Sequence, residues 1–221
     1  MASGALAQPC HVASTDPAIA PAPRSESQWS PRHHHQKLAV AQYPAHVVMI
    51  GDSMIQRWPP EMLKTAFQGD KIINLGIGGD QTQHVLWRLN DLDLLHQNPA
   101  YAVLMVGANN MSRNGSACST FTGIAHVLAK LRHKLPQTKI IIIEILPRGQ
   151  DYAFRKVDIA DVNTKLKTLE DPKTVFMDPS SIVQGAASEG HINQDLLHLS
   201  PSGYQALTTA LINTVARNPF P

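Results

Sequence analysis

The sequence predicts a three-layer α/β/α sandwich built on a five-stranded parallel sheet. Short apolar runs rich in β-branched residues alternate with longer segments whose apolar residues recur at helical spacing. That alternation is the mark of strands joined by right-handed crossovers, with helices on both faces. Several of the runs end in glycine or asparagine turns, and ligands bind at the carboxyl ends of strands in open α/β sheets. With 221 residues, 43% of them hydrophobic, the chain can bury one good-sized core, and one domain with a tail fits better than two.

Trp29 to Val40 reads as a short helix or a clasp leading into the first strand, Val47 to Ile50. Pro59-Pro60 opens a short helix over Glu61 to Phe67. A second strand, Lys71 to Leu75, runs into the turn Gly76-Ile77-Gly78-Gly79-Asp80, and Thr82 to Leu95 carries Val85, Leu86, Leu89 and Leu92 at helical spacing. The third strand, Tyr101 to Val106, ends in Gly107-Ala108-Asn109-Asn110, and Ala117 to Leu135 is the next helix. Lys139 to Ile145 is a strongly β-branched fourth strand, closed by Leu146-Pro147-Arg148-Gly149. A helix near Val157 to Leu169 and a fifth strand, Thr174 to Met177, follow. A loop from Pro179 to Leu197 then leads to a last helix opening at Ser200-Pro201, an N-cap serine with proline at the first helical position.

Composition excludes several classes. The formal net charge is +2, with basic residues scattered along the chain, so neither a nucleic-acid stripe nor a polybasic membrane patch is present. No apolar run approaches the length of a membrane span. Residues 1–28, rich in Ala, Pro, Ser and Gln, read as a disordered leader or linker before a domain over 29–221. Within it, Ala5-Leu6-Ala7-Gln8 resembles a small-residue signal-cleavage site, although no charged and apolar region precedes it. It tilts the expected location towards the periplasm or the outside of the cell, with the cytoplasm as the alternative. Cys10 and Cys118 have no metal-ligand spacing, no disulfide follows from sequence alone, and both read as incidental. His33, His34 and His35 read as an exposed basic turn, because adjacent helical residues cannot all face one ion. Trp58 and Trp87 read as buried packing.

The chemistry gathers at strand ends. The run Val47 to Ile50 stops at Gly51-Asp52-Ser53, where Ser53 is left with an exposed Oγ and with its N–H near a helix start. Taken alone, that motif is satisfied by a polar turn with a capping serine, Gly76 to Gly79 by an ordinary turn or phosphate cradle, and Asn109 by a helix cap. In one parallel sheet, however, the three strand ends lie along one edge. A nucleophile, a backbone N–H and a side-chain amide can then converge on an oxyanion. Asp195-Leu196-Leu197-His198 adds an acid and an imidazole three residues apart, a spacing that shares a face on a helix-like turn, so the carboxylate can hold Nδ1–H and aim Nε2 outward.

These four blocks, in this order, resemble the SGNH hydrolase superfamily of GDSL esterases and lipases. The matches are Gly51 to Ser53, Gly79, Gly107 to Asn109, and Asp195 to His198, and the resemblance spans roughly Trp29 to Val215. Within that family, Gly76 to Leu89, Leu146 to Gly149 and Asp195 to Tyr204 are similar to the catalytic subunits of intracellular platelet-activating-factor acetylhydrolase. The resemblance implies a flavodoxin-like fold and a triad of Ser53 as nucleophile, His198 as base and Asp195 as its orienting acid. It implies an oxyanion hole of the Ser53 and Gly79 N–H groups with the Asn109 side chain. Together with the leader, it implies hydrolysis of short-chain (acetyl) esters of a carbohydrate or small lipid through an acyl-enzyme, with no metal or organic cofactor. Alternatives are a lysophospholipase or thioesterase acting on longer chains, a binding protein with a degenerate site, and a nucleotide-binding flavodoxin-like domain. Oligomeric state is left open, with a dimer suggested by the resemblance alone.

Overall fold

The computed structural model describes residues 10–69, 71–182 and 190–220. Five parallel strands, β1 (Val47–Gly51), β2 (Ile72–Gly76), β3 (Tyr101–Met105), β4 (Lys139–Ile143) and β5 (Thr174–Met177), form one sheet in the order β2-β1-β3-β4-β5. Among the described residues, eight α-helices accompany them: α1 (Trp29–Gln42), α2 (Ser53–Gln56), α3 (Pro60–Ala66), α4 (Thr82–Asp91), α5 (Ala108–Ser112), α6 (Ala117–Lys134), α7 (Lys156–Lys167) and α8 (Pro201–Arg217). The predicted three-layer architecture is the one observed.

Strand alternation divides the core. Val48, Ile50, Leu104, Ile140 and Ile142 face Leu86 and Leu89 of α4, Val127 of α6 and Val162 of α7. Val47, Met49, Val103, Ile141 and Ile143 face Leu63 of α3 and Leu207 and Leu211 of α8. Central strands buried on both faces must be apolar throughout, which is why β1, β3 and β4 read as unbroken hydrophobic runs. Gly51 lies in register with Gly76 on one side and Met105 on the other, so the chain leaves β1, β2 and β3 at one level. That shared level brings three sequence-distant turns to one edge.

Two elements end well short of their expected bounds. β4 ends at Ile143 because the Ile145 N–H turns away to the Asn163 side chain, at 3.0 Å. Helix α4 ends at Asp91 because Leu92 becomes extended, and the Lys134 ammonium takes its carbonyl at 2.7 Å. Of the three histidines, only His34 and His35 are exposed. His33 is buried against Trp29 and Trp87 and bonds the Asp91 carboxylate at 2.9 Å. Trp58 is buried, as expected, and donates to Thr208 Oγ at 3.0 Å.

The segment before α1 differs from the disordered leader expected over residues 1–28. Residues 1–9 lie outside the described residues, but 10–28 are placed against the domain. Asp16 caps a 3₁₀ turn over Pro17–Ile19 and accepts from Ser119 Oγ at 2.7 Å. The Ala18 carbonyl accepts from Thr82 Oγ at 2.7 Å, and the Ala22 N–H donates to the Gln83 carbonyl. Cys10 and Cys118, expected to be incidental, are joined as a disulfide with Cα atoms 5.2 Å apart across 108 residues of sequence. The pairing was invisible in the sequence because it depends on the segment folding back over the first turn of α6. Reducing this bond should raise amide exchange over residues 10–28 by about tenfold or more while β1 and β3 keep their protection. Equal exchange in the oxidised and reduced protein would contradict a clamping role for the disulfide.

Candidate active site

The turn after β1 is forced by packing. A Cβ on Gly51 would lie 1.9 Å from the Met105 carbonyl oxygen, so only glycine lets β1 leave the sheet this close to β3. Asp52 then caps α2, its Oδ1 accepting from the Met54 N–H at 2.9 Å. Ser53 is the first residue of α2, and its own N–H has no partner among the described residues.

The Ser53 hydroxyl donates to His198 Nε2 at 2.8 Å, and His198 Nδ1–H donates to Asp195 Oδ2 at 2.6 Å. His198 is buried, whereas Asp195 stands at the surface. The turn that joins them is not the helix-like turn expected. Leu196 adopts a left-handed conformation with φ 56°, and Asp195 Oδ1 accepts from the N–H groups of Leu197 and His198 at 3.0 and 2.9 Å. Burial opposes ionisation of Asp195, but these three bonds outweigh it and hold the carboxyl at about 2. It therefore stays a carboxylate at neutral pH and keeps the imidazole proton on Nδ1.

The structure brings the other predicted residues to the same edge. A Cβ on Gly78 would lie 3.6 Å from Ser53 Cβ, which sets the 76–80 turn beside the serine. Gly79 has φ +80°, and its N–H has no partner among the described residues. The Asn109 amide donates to the Asp80 carbonyl at 2.9 Å and approaches Asp52 Oδ2 at 3.4 Å. Asn110 stands behind it, accepting from the Thr82 N–H at 3.0 Å and so fixing the start of α4.

Several residues in the site were not anticipated. Asp80 and Arg88 form a buried ion pair at 2.8 Å, and Arg88 also donates to the carbonyls of Leu75 and Gly51. A cation among Val85, Leu86, Leu89 and Leu92 on the inward stripe of α4 was the available signal. Arg24 reaches in from the N-terminal segment and donates to the Gly78 carbonyl at 2.7 Å. Arg148 bonds the Ala108 carbonyl and Ser112 Oγ at 2.9 and 2.7 Å. Arg148 and Asp52 also line a small cavity of about 20 Å³ with Met54, Ala108, Leu146 and Leu197. Its wall thus includes both chain neighbours of Ser53 and the residue before His198.

A parallel α/β/α sandwich with a hydroxyl–imidazole–carboxylate chain at its strand ends is the architecture of an ester-hydrolysing serine hydrolase. Residues 24–206 match the GDSL-like lipase/acylhydrolase family, and the chain belongs to it. It is 32% identical over 212 residues to the platelet-activating factor acetylhydrolase IB subunit alpha1 of Rattus norvegicus, covering 91% of this chain and 90% of that one. The fold is similar to that of a lipase/acylhydrolase from Enterococcus faecalis, with TM-score 0.63 and 20% identity over 76% of this chain and 94% of that one. It is also similar to a family 3 carbohydrate esterase from Clostridium thermocellum, with TM-score 0.62 and 18% identity over 79% and 96%.

Burial, aided by the nearby Asp80 charge, pushes the Asp52 carboxyl up to about 7 against the Met54 N–H bond and Arg148. An unfolded aspartate titrates near 4, so above about pH 4 the unfolded chain releases a proton that the fold retains. Asp52 thus costs stability increasingly as pH rises from the unfolded value to about 7, and by a constant amount beyond. Asn can cap α2 equally well. Asp52→Asn should therefore raise the melting temperature relative to the wild type near pH 8 and leave it unchanged near pH 4. Thermal melts giving the same difference at both pH values would contradict the assignment.

Proposed function

We propose that this enzyme hydrolyses acetyl esters of a carbohydrate or small lipid, with Ser53, His198 and Asp195 as its catalytic triad. The observation that carries the reading is the hydrogen-bonded chain from Ser53 Oγ through His198 to the Asp195 carboxylate. Ser53 Oγ attacks the ester carbonyl carbon as its proton passes to His198 Nε2. The carbonyl oxygen becomes an oxyanion, received by the N–H groups of Ser53 and Gly79 and by the Asn109 amide. Supporting that role, neither backbone N–H has a partner among the described residues, and the Asp80 carbonyl anchors the amide. Collapse of the tetrahedral intermediate breaks the bond to the alcohol oxygen, which takes the proton from His198. Water then attacks acetyl-Ser53, gives its proton to the same nitrogen, and Ser53 recovers its proton as acetate leaves.

The small cavity supports acetyl as the acyl group. About 20 Å³ admits roughly one water-sized sphere, which is the scale of a methyl group. Each methylene excluded from it forgoes about 0.8 kcal/mol of burial and adds steric strain. The Cys10–Cys118 disulfide supports an oxidising compartment, consistent with an exported enzyme.

Ser53→Ala should keep the fold and lower ester turnover by about 10⁴-fold or more. Asn109→Ala should lower kcat by about 10²- to 10³-fold with little change in KM, because the amide acts on the transition state. A raised KM at unchanged kcat would make it a substrate-binding group instead. In a panel of aryl esters, acetate should exceed butyrate by about tenfold or more in kcat/KM. Faster cleavage of octanoate than acetate would replace the acetylesterase reading with a lysophospholipase one.

A further inference from the structure

The glycine turn beside Ser53 does not determine its own orientation. The Asp80 N–H donates to the Ile77 carbonyl at 3.2 Å, closing a four-residue turn with Gly78 and Gly79 at its centre. Of these two, only Gly79 has a positive φ, +80°, which is the pattern of a type II turn. A type I turn differs from it chiefly by a flip of the peptide between the central residues. Glycine at both positions accepts either arrangement without steric penalty. What surrounds the turn must therefore decide which way that peptide points.

The Gly78 N–H donates to Gln56 Oε1 of α2, which fixes the near side of the turn but leaves the next peptide able to rotate. The oxygen of that next peptide, the Gly78 carbonyl, accepts from Arg24 Nη1 at 2.7 Å. In a trans peptide the C=O and N–H point in opposite directions, so a carbonyl anchored on Arg24 turns the Gly79 N–H away from the arginine. Arg24 is itself set in place. Its Nε and Nη2 donate to the Glu26 carboxylate at 3.1 and 2.7 Å, and its side chain is largely covered. The segment that carries it is fastened to α6 by the Cys10–Cys118 disulfide and the bond from Ser119 to Asp16.

We propose, resting on the oxyanion hole proposed above, that Arg24 is a positioning residue for ester hydrolysis, locking the 78–79 peptide with the Gly79 N–H towards the oxyanion. It acts in two ways. Flipping the peptide would break a charge-assisted hydrogen bond, so the productive orientation is favoured before substrate arrives. The guanidinium also draws electron density towards the carbonyl oxygen, which makes the N–H of the same amide a stronger donor. Neither effect requires Arg24 to touch the substrate. The segment over residues 10–28 is then a working part of the active site.

Steady-state hydrolysis of an aryl acetate by Arg24→Ala and Arg24→Lys, with Asn109→Ala beside them, tests this. Arg24→Ala should lower kcat by about tenfold or more and leave KM within about twofold, because a misdirected peptide still admits the ester but fails the transition state. Arg24→Lys, which keeps a cationic donor, should retain more of kcat than the alanine variant. Guanidinium chloride far below denaturing concentrations should raise kcat of Arg24→Ala several-fold and leave the wild type unchanged. Wild-type kcat in Arg24→Ala, a raised KM at unchanged kcat, or a loss that neither lysine nor guanidinium lessens would overturn the proposal. Asn109→Ala separates it from the reading on which it rests. If that variant loses kcat while Arg24→Ala does not, only the role of Arg24 falls; if both keep the wild-type kcat, the oxyanion hole falls with it.

Discussion

The site depends on one buried ion pair. Arg88 and Asp80 are both removed from solvent, and their charges meet at 2.8 Å. Such a pair is weak evidence of net stability, since desolvation offsets much of the attraction, but removing one partner leaves a buried charge and costs about 3–5 kcal/mol. Here the pair also ties together the chain around the strand ends. Arg88 donates to the last turns of β1 and β2 through the Gly51 and Leu75 carbonyls. Asp80 accepts from Trp29 of α1 at 2.7 Å and is approached by Arg24 at 3.4 Å. Its backbone carbonyl holds the Asn109 amide. The serine turn, the glycine turn and the asparagine turn are thus fixed to one another through two residues, Asp80 and Arg88.

The N-terminal segment extends this frame outward. It crosses the starts of α4 and α6, is fastened at Cys118 and Ser119, and delivers Arg24 to the Gly78 carbonyl. A Cβ on Gly79 would lie 2.8 Å from that guanidinium, so the glycine both permits the positive φ and leaves space for Arg24. The arginine therefore braces the turn whose N–H is proposed to meet the oxyanion. Preorganised donors are effective because they need not reorient during the reaction. Bracing the turn on both sides, by Asp80 within and Arg24 without, provides that rigidity.

The fold was legible because strands buried on both faces leave near-continuous apolar runs, and each helix kept a periodic stripe. That Ser53, Gly79 and Asn109 lie along one edge was legible because parallel topology sends three strand ends there, whereas their roles came from the family resemblance. The Asp195–His198 pairing followed from a three-residue spacing, although the turn that realises it is a left-handed Leu196 rather than a helical one. Arg24 and the Cys10–Cys118 bond were not legible, since a Pro- and Ala-rich segment has no periodic face and its order comes from polar contacts made far along the chain.

The account rests on Ser53 being the nucleophile activated by His198. The most direct measurement is intact and peptide mass spectrometry after treatment with a fluorophosphonate, which phosphonylates activated serines irreversibly. The account predicts one adduct per chain, on the peptide that carries Ser53, and greatly slowed labelling in His198→Ala. Unchanged labelling of the His198→Ala protein, or an adduct on any other residue, would contradict it.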